Sequence, residues 1–143
     1  YNKAYGVDIS RDAIEKAQRR YKTKNNIFHE GNMTNFSSKF KNDFFDVIIC
    51  LEGFEHITYL EGQAFLNEAK NVLKNDGLLI LSTPLLKEDK YHSGNPYHLC
   101  EYKKDELYFA IKNFFVILRE EKLYNPVEGV DIVILVLTNF SHC

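Results

Sequence analysis

The chain of 143 residues has no tryptophan, only three cysteines, and no apolar run long enough to cross a bilayer. Cys50, Cys100 and Cys143 are odd in number and scattered without CxxC spacing, so neither a disulfide framework nor a cysteine-bound metal is indicated. They read as reduced thiols of a cytoplasmic protein. A dominant charge is missing too. With a formal net charge of −2 and an isoelectric point near 6.2, no global basic field draws the chain to nucleic acid. The start carries no signal-peptide pattern, and no repeat, low-complexity tract or interdomain linker follows. The first residue is Tyr1 rather than methionine, so a start further upstream, or processing, is expected.

What is present suits one globular domain over residues 1–143. Apolar residues make up 45% and aromatic residues 14%, and the length allows a sizeable core. Helix and strand patterns alternate. "AYGVD" is a short strand, and Ser10 can cap a helix through "RDAIEKAQRRY", with Ala13, Ile14, Ala17 and Tyr21 on one face. "NNIFHEGN" gives another strand. "FFDVIIC" is nearly apolar throughout, as expected of a central parallel strand covered on both faces. "YLEGQAFLNEAKNVLK" reads as a helix ended by "KNDG", where Asn75 and Gly77 tolerate the left-handed conformation. "LLILSTP" is a buried strand, "KKDELYFAIKNFF" a helix, and "VILREEKLY" and "VDIVILVLTNF" two strands joined around Asn125-Pro126. The alternation implies an α/β fold with a mostly parallel sheet. The last two strands should be antiparallel, because a parallel crossover needs a dozen or more residues. "REEK" reads as the solvated face of an edge strand.

Several residues carry candidate chemistry. Asp8 ends its strand two residues before Ser10. Such an acid is either a turn residue or, in nucleotide-binding α/β folds, the group that takes a ribose. "CLEGFEHI" leaves the carboxyl end of a central strand, where ligands of open sheets collect. Cys50 there reads as a small buried filler. Glu52, Glu55 and His56 form an E-x-x-E-H array, and His98 follows some forty residues later in "YHLCEY". These groups could serve as acid/base or substrate-orienting residues, bind a divalent cation through mixed oxygen and nitrogen ligands, or simply bond backbone in a turn. Residues 85–102 form the longest irregular stretch, and their Tyr91, His92, Tyr97 and Tyr102 suit either a substrate lid or a small cluster under a loop. Glu101 either holds His98 or caps the following helix. His29 reads as structural.

In their order, "YGVDIS", "EGNM", "FDVIICLEGFEHI" and "LKNDGLLILSTP" resemble class I S-adenosylmethionine-dependent methyltransferases of Rossmann-like fold, and "NPYHLCEYKKDEL" resembles bacterial members acting on sugars or small metabolites. The likeness implies an S-adenosyl-L-methionine cofactor. Asp8 would take the ribose, with Ile9 against the adenine. Asn32 and Met33 would stand at the adenine edge, and Cys50, Leu51 and Glu52 would line the cofactor. His56 and His98 are the catalytic candidates. The four-residue set Glu52, Glu55, His56 and His98 further resembles the metal site of RNA 2′-O-methyltransferases, although no basic RNA-binding region accompanies it.

One departure stands out. The family's first strand and first helix, with the glycine-rich loop between them, have no counterpart here. In the family sheet order, 3-2-1-4-5-7-6, that strand is central. Its neighbours should therefore either pair directly or leave ladder groups unpaired, at about 1–3 kcal/mol for each buried group. The expectation is an incomplete methyltransferase domain, most simply an oxygen methyltransferase for a sugar or small metabolite. A metal-dependent RNA enzyme and a non-catalytic scaffold are the rivals. Neither a membrane nor a nucleic-acid partner is expected.

Overall fold

In the computed structural model, which describes residues 2–126 and 129–139, helix and strand follow each other in the expected order. Tyr1, His142 and Cys143 lie outside the described residues. Strand β1 (Ala4–Asp8) pairs in parallel with β2 (Asn26–Glu30), and helix α1 (Arg11–Tyr21) crosses between them. Ser10 starts that helix, its Oγ accepting the Ala13 N–H at 3.3 Å, and Asp12 complements the positive end of the helix dipole. Only Ile14 of α1 is buried, so the helix is attached along a narrow stripe.

The second sheet is larger. β3 (Phe45–Leu51) lies parallel to β4 (Leu73–Leu85), β4 antiparallel to β6 (Val130–Asn139), and β6 antiparallel to β5 (Phe115–Asn125), in the order β3-β4-β6-β5. The expected antiparallel pair at the C-terminal end is present, and Arg119, Glu121 and Lys122 lie exposed on edge strand β5. Helix α2 (Tyr59–Val72) connects β3 to β4, and α3 (Lys104–Ile111) precedes β5. Phe65, Leu66, Ala69 and Val72 of α2 meet Leu79 and Leu81 of β4, Leu135 and Leu137 of β6, and Leu107 and Ile111 of α3 in one core. Each of these side chains larger than alanine contributes about 1.5–3 kcal/mol of burial.

Of the two outcomes expected for the missing strand's neighbours, the structure shows the second: β1 and β3 do not pair, and the order breaks where the resemblance puts the family's first strand. Three expectations are corrected. With that break, β3 is not covered on both faces. Val47, Ile49 and Leu51, which alternate on one face, are exposed. Helix α2 ends without a left-handed residue. Leu73 is already extended (φ −81°, ψ 136°), and neither Asn75 nor Gly77 has positive φ. Gly77 serves close approach instead, since a Cβ there would lie 2.7 Å from Leu73 Cγ. Finally, α3 stops at Ile111, and Phe115 opens β5 as a buried residue.

Candidate functional site

The carboxyl end of β3 turns sharply. Glu52 has φ 48°, a left-handed conformation that costs a non-glycine residue about 1–3 kcal/mol. Ser82 of β4 offsets the strain. The Glu52 N–H donates to the Ser82 carbonyl (3.2 Å) and hydroxyl (3.1 Å), and the Ser82 hydroxyl donates to Glu52 Oε1 at 2.6 Å. One turn of 3-10 helix, Phe54–His56, follows, with Phe54 and Glu55 buried. Thr58 then opens α2 through a reciprocal cap: its N–H donates to Glu61 Oε2 at 2.9 Å, and its Oγ1 accepts the Glu61 N–H at 3.4 Å. The turn is thus fixed on both sides.

Glu55 faces inward. Its Oε2 accepts the Thr83 hydroxyl at 3.0 Å, and its backbone carbonyl accepts the N–H groups of Leu99 (2.8 Å) and Cys100 (3.1 Å). Burial pushes the Glu55 carboxyl above its ordinary pKa, with the bond from Thr83 only partly opposing this. His56 Nδ1 lies 2.9 Å from the Tyr97 carbonyl, an acceptor only, so the imidazole carries its proton on Nδ1. Nε2 lies 3.7 Å from Glu55 Oε1.

His98 is oriented by the same logic. Asn95 Oδ1 accepts the Tyr97 N–H at 3.0 Å, which leaves the Asn95 amide nitrogen to donate to His98 Nε2, also at 3.0 Å. The His98 proton is therefore on Nδ1, donated to Glu101 Oε1 at 2.7 Å. Burial works to raise the Glu101 pKa, but hydrogen bonds from Ser93 and His98 outweigh it and hold the carboxyl below its ordinary range. A cavity of about 180 Å³ lies here, lined by Pro84, Ser93, Asn95, His98, Glu101 and Val130 among others.

The structure brings three of the four proposed metal ligands together. Ligand atoms of Glu55, His56 and His98 all lie within 4.8 Å of one another, and the two imidazole rings stand 5.2 Å apart, edge to face. Glu52 is outside that group, its carboxylate held by Ser82. Asp8 ends β1 exposed, with Oδ1 accepting the Ser10 N–H at 2.7 Å, and Ile9 beside it is 72% exposed. Asn32 Oδ1, the expected adenine contact, already accepts the N–H (2.9 Å) and hydroxyl (3.0 Å) of Thr34. Met33 packs against the core. Leu51 is exposed, and Cys50 is half-buried with its thiol pushed up to about 12 by burial, then by Glu55 and Glu52. His29 packs among Tyr5 and Phe40, and Glu101 holds His98 while Glu106 receives the Lys103 N–H at the start of α3. His92 Nδ1 accepts the Gly94 N–H, and Tyr91 and Tyr97 are exposed. Sequence reasoning missed Ser82, Thr83 and Asn95. Two adjacent hydroxyls directly after the apolar run Leu78–Leu81 were the available signal for the first two.

A sequence profile for the family described as "Methyltransferase domain" matches residues 1–81. An uncharacterized protein of Methanocaldococcus jannaschii is 31% identical over 91 residues, covering 61% of this chain and 38% of that protein. The chain thus spans well under half the length of that relative. Among solved structures, 1,6-didemethyltoxoflavin-N1-methyltransferase of Burkholderia thailandensis, with bound 1,6-didemethyltoxoflavin and S-adenosylhomocysteine, is 15% identical. The match covers 96% of this chain and 61% of that one with a TM-score of 0.78. The N-methyltransferase NodS of Bradyrhizobium japonicum, in complex with S-adenosyl-L-homocysteine, is 12% identical, with 97% and 67% coverage and a TM-score of 0.76. At these identities the structural likeness speaks for the fold.

Proposed function

The chain belongs to the methyltransferase domain family, and from that premise we propose that it is the S-adenosyl-L-methionine-binding and catalytic part of a cytoplasmic methyltransferase for an oxygen of a sugar or small metabolite. The observation that carries this reading is the tip of β3. There a strained Glu52 locked to Ser82 leads into a turn that presents the His56 ring, aimed by the Tyr97 carbonyl at Nδ1 and leaving Nε2 clear of it. The residues suit the cofactor at two points: Asp8 offers an exposed carboxylate at a strand tip, and exposed Ile9 beside it offers an apolar surface for a purine. Asp8 would accept the ribose hydroxyl protons.

When bound, the cofactor supplies an electrophilic methyl on a sulfonium that leaves as a neutral thioether. The chain's own part is placement and proton transfer. His56 takes up the acceptor hydroxyl proton at Nε2, while the Tyr97 carbonyl keeps the ring aimed by holding Nδ1–H. Glu55, 3.7 Å from Nε2, favours the imidazolium so formed. His98, with both nitrogens engaged, holds the loop segment in place.

Titration calorimetry with S-adenosyl-L-homocysteine tests the reading. Asp8→Ala should weaken binding by about tenfold to a hundredfold, the worth of hydrogen bonds to a charged group. Unchanged affinity removes Asp8 from the cofactor site, and no binding by the parent chain favours the non-catalytic scaffold.

The cluster of Glu55, His56 and His98 favours a second reading, in which a divalent ion polarises the acceptor hydroxyl. The donor set is suitable, with both histidines anchored through Nδ1. An ion would have to displace Asn95 from His98 Nε2. Manganese binding that is lost in Glu55→Gln supports this reading, and no manganese binding ends it.

A further inference from the structure

We propose that the cavity between the first turns of α2 and α3 is a binding site for a small aliphatic ammonium ion that carries an N–H. The inference stands apart from methyl transfer. The cavity, of about 470 Å³, is walled by Tyr59 at the start of α2, by Phe109 of α3 and by Tyr102, with Glu101, Asp105 and Glu106 around them. Neither His56 nor His98 lines it, and neither does any basic side chain of the described residues. Aromatic rings beside carboxylates, with no cation of their own, are the chemistry that recognises an ammonium group.

Tyr102 supplies an unused polar atom. Its ring stacks on Phe54 in the core and the residue is only 2% exposed, yet its hydroxyl has no hydrogen-bond partner. The hydroxyl reaches α2 beside Gly62, where an added Cβ would lie 3.3 Å from it. Gly62 is one turn on from Tyr59, so the free hydroxyl stands at the α2 wall of the cavity. The Cys100 thiol, which also lines the cavity, adds to burial in raising the Tyr102 pKa but is not placed to hydrogen-bond with it. A buried hydroxyl without a partner is costly, and a ligand N–H donating to its oxygen removes that cost.

The surrounding charges set the sign of the ligand. Both oxygens of Glu101 are taken, Oε1 by His98 and Oε2 by the Ser93 N–H. The positive ends of the two helices are met as well, since Glu61 accepts the Thr58 N–H at α2 and Glu106 the Lys103 N–H at α3. Asp105 remains, exposed and in no ion pair among the described residues. Neighbouring rings already hold lysine ammonium groups: Lys103 Nζ lies 5.5 Å from the Tyr91 ring, Lys104 Nζ 5.2 Å from Tyr108 and Lys112 Nζ 4.0 Å from Phe109. None of these lysines lines the cavity. An ammonium ion there sits between Tyr59 and Phe109, gives one N–H to the Tyr102 oxygen and is balanced by Asp105.

Amide chemical-shift mapping by nuclear magnetic resonance tests the proposal. The probe is n-butylammonium chloride, with 1-butanol as its uncharged counterpart and sodium chloride at equal ionic strength as the blank. n-Butylammonium should shift the amides of Tyr59, Tyr102 and Asp105 along saturable curves, and bind about tenfold more tightly than 1-butanol, the usual worth of a hydrogen bond to a charged group. Asp105→Asn, a change at an exposed position, should weaken n-butylammonium by about tenfold. Tyr102→Phe, which removes only the unpartnered hydroxyl, should weaken it by about threefold to tenfold while the urea midpoint holds or rises. Four results overturn the proposal: shifts no larger than those with sodium chloride, equal affinity for 1-butanol, saturable shifts centred away from α2 and α3, or either variant binding n-butylammonium as the parent chain does.

Discussion

Phe54 is the residue that keys the candidate site into the core, and removing its ring measures how firmly. The side chain is fully buried, stacks on Tyr102 at 5.4 Å between ring centroids, and lies 6.1 Å from the Phe65 ring. Gly62 of α2 faces it so closely that a Cβ there would lie 3.0 Å from Phe54 Cζ. Phe54→Ala therefore leaves a cavity that its walls cannot fill. Gly62 has no side chain, Phe65 is fixed in α2, and Tyr102 is bridged to Leu85. A cost near 3–5 kcal/mol is expected, a large share of the usual 5–15 kcal/mol of a domain. With nine tyrosines and no tryptophan, tyrosine fluorescence and far-ultraviolet circular dichroism are the probes for urea unfolding. The midpoint should fall by at least about 1 M with an unchanged slope. Phe54→Leu, which keeps most of the apolar volume, should cost about half as much or less. A fall below about 0.3 M for the alanine variant would refute the idea that the turn bearing Glu55 and His56 is anchored through this ring.

Two further outcomes follow from buried titratable groups. Because burial raises the Glu55 pKa, the folded chain binds more protons than the unfolded chain between the unfolded and folded values, and stability is lost as pH rises through the folded value. In EDTA, Glu55→Gln should therefore gain on the parent chain in urea midpoint as pH rises from 4 to 8, and a constant difference would contradict the shift. The Cys50 thiol, pushed from 9.0 to about 12, should hold on the order of a thousandfold less thiolate at pH 8. Alkylation of the Cys50 peptide by iodoacetamide should be correspondingly slow in the folded chain and ordinary in urea. Rapid labelling of the folded chain would show the thiol to be open.

The order of elements was legible because it depends on local pattern. Ser10 before a helical stripe and the long apolar stretch 78–84 needed no tertiary information. The limits were set by contacts between distant residues. Nothing in "KNDG" reveals that Leu73 leaves α2 already extended, since β3 draws the chain straight into the ladder there, Phe45 lying opposite Leu73. The apolar run of β3 suggested burial on both faces, but composition does not report whether a neighbour exists to cover them. At the site, spacing put Glu55 and His56 on one turn and left His98 a candidate. The bonds that aim the two histidines come from the Tyr97 carbonyl and from Asn95. A backbone carbonyl some forty residues away carries no mark in its residue type.

Asp8 and the β3 tip belong to bodies of unequal strength. β1, β2 and α1 form a two-stranded parallel unit with one buried helical residue, an assembly of marginal stability on its own. Occupancy and order are thus thermodynamically linked: a ligand spanning both bodies must restrain the weaker one, and part of its intrinsic affinity is consumed in doing so. Such a ligand would tighten residues 4–30 far more than the β4–β6 ladder, so local exchange rates would register its arrival before global melting did.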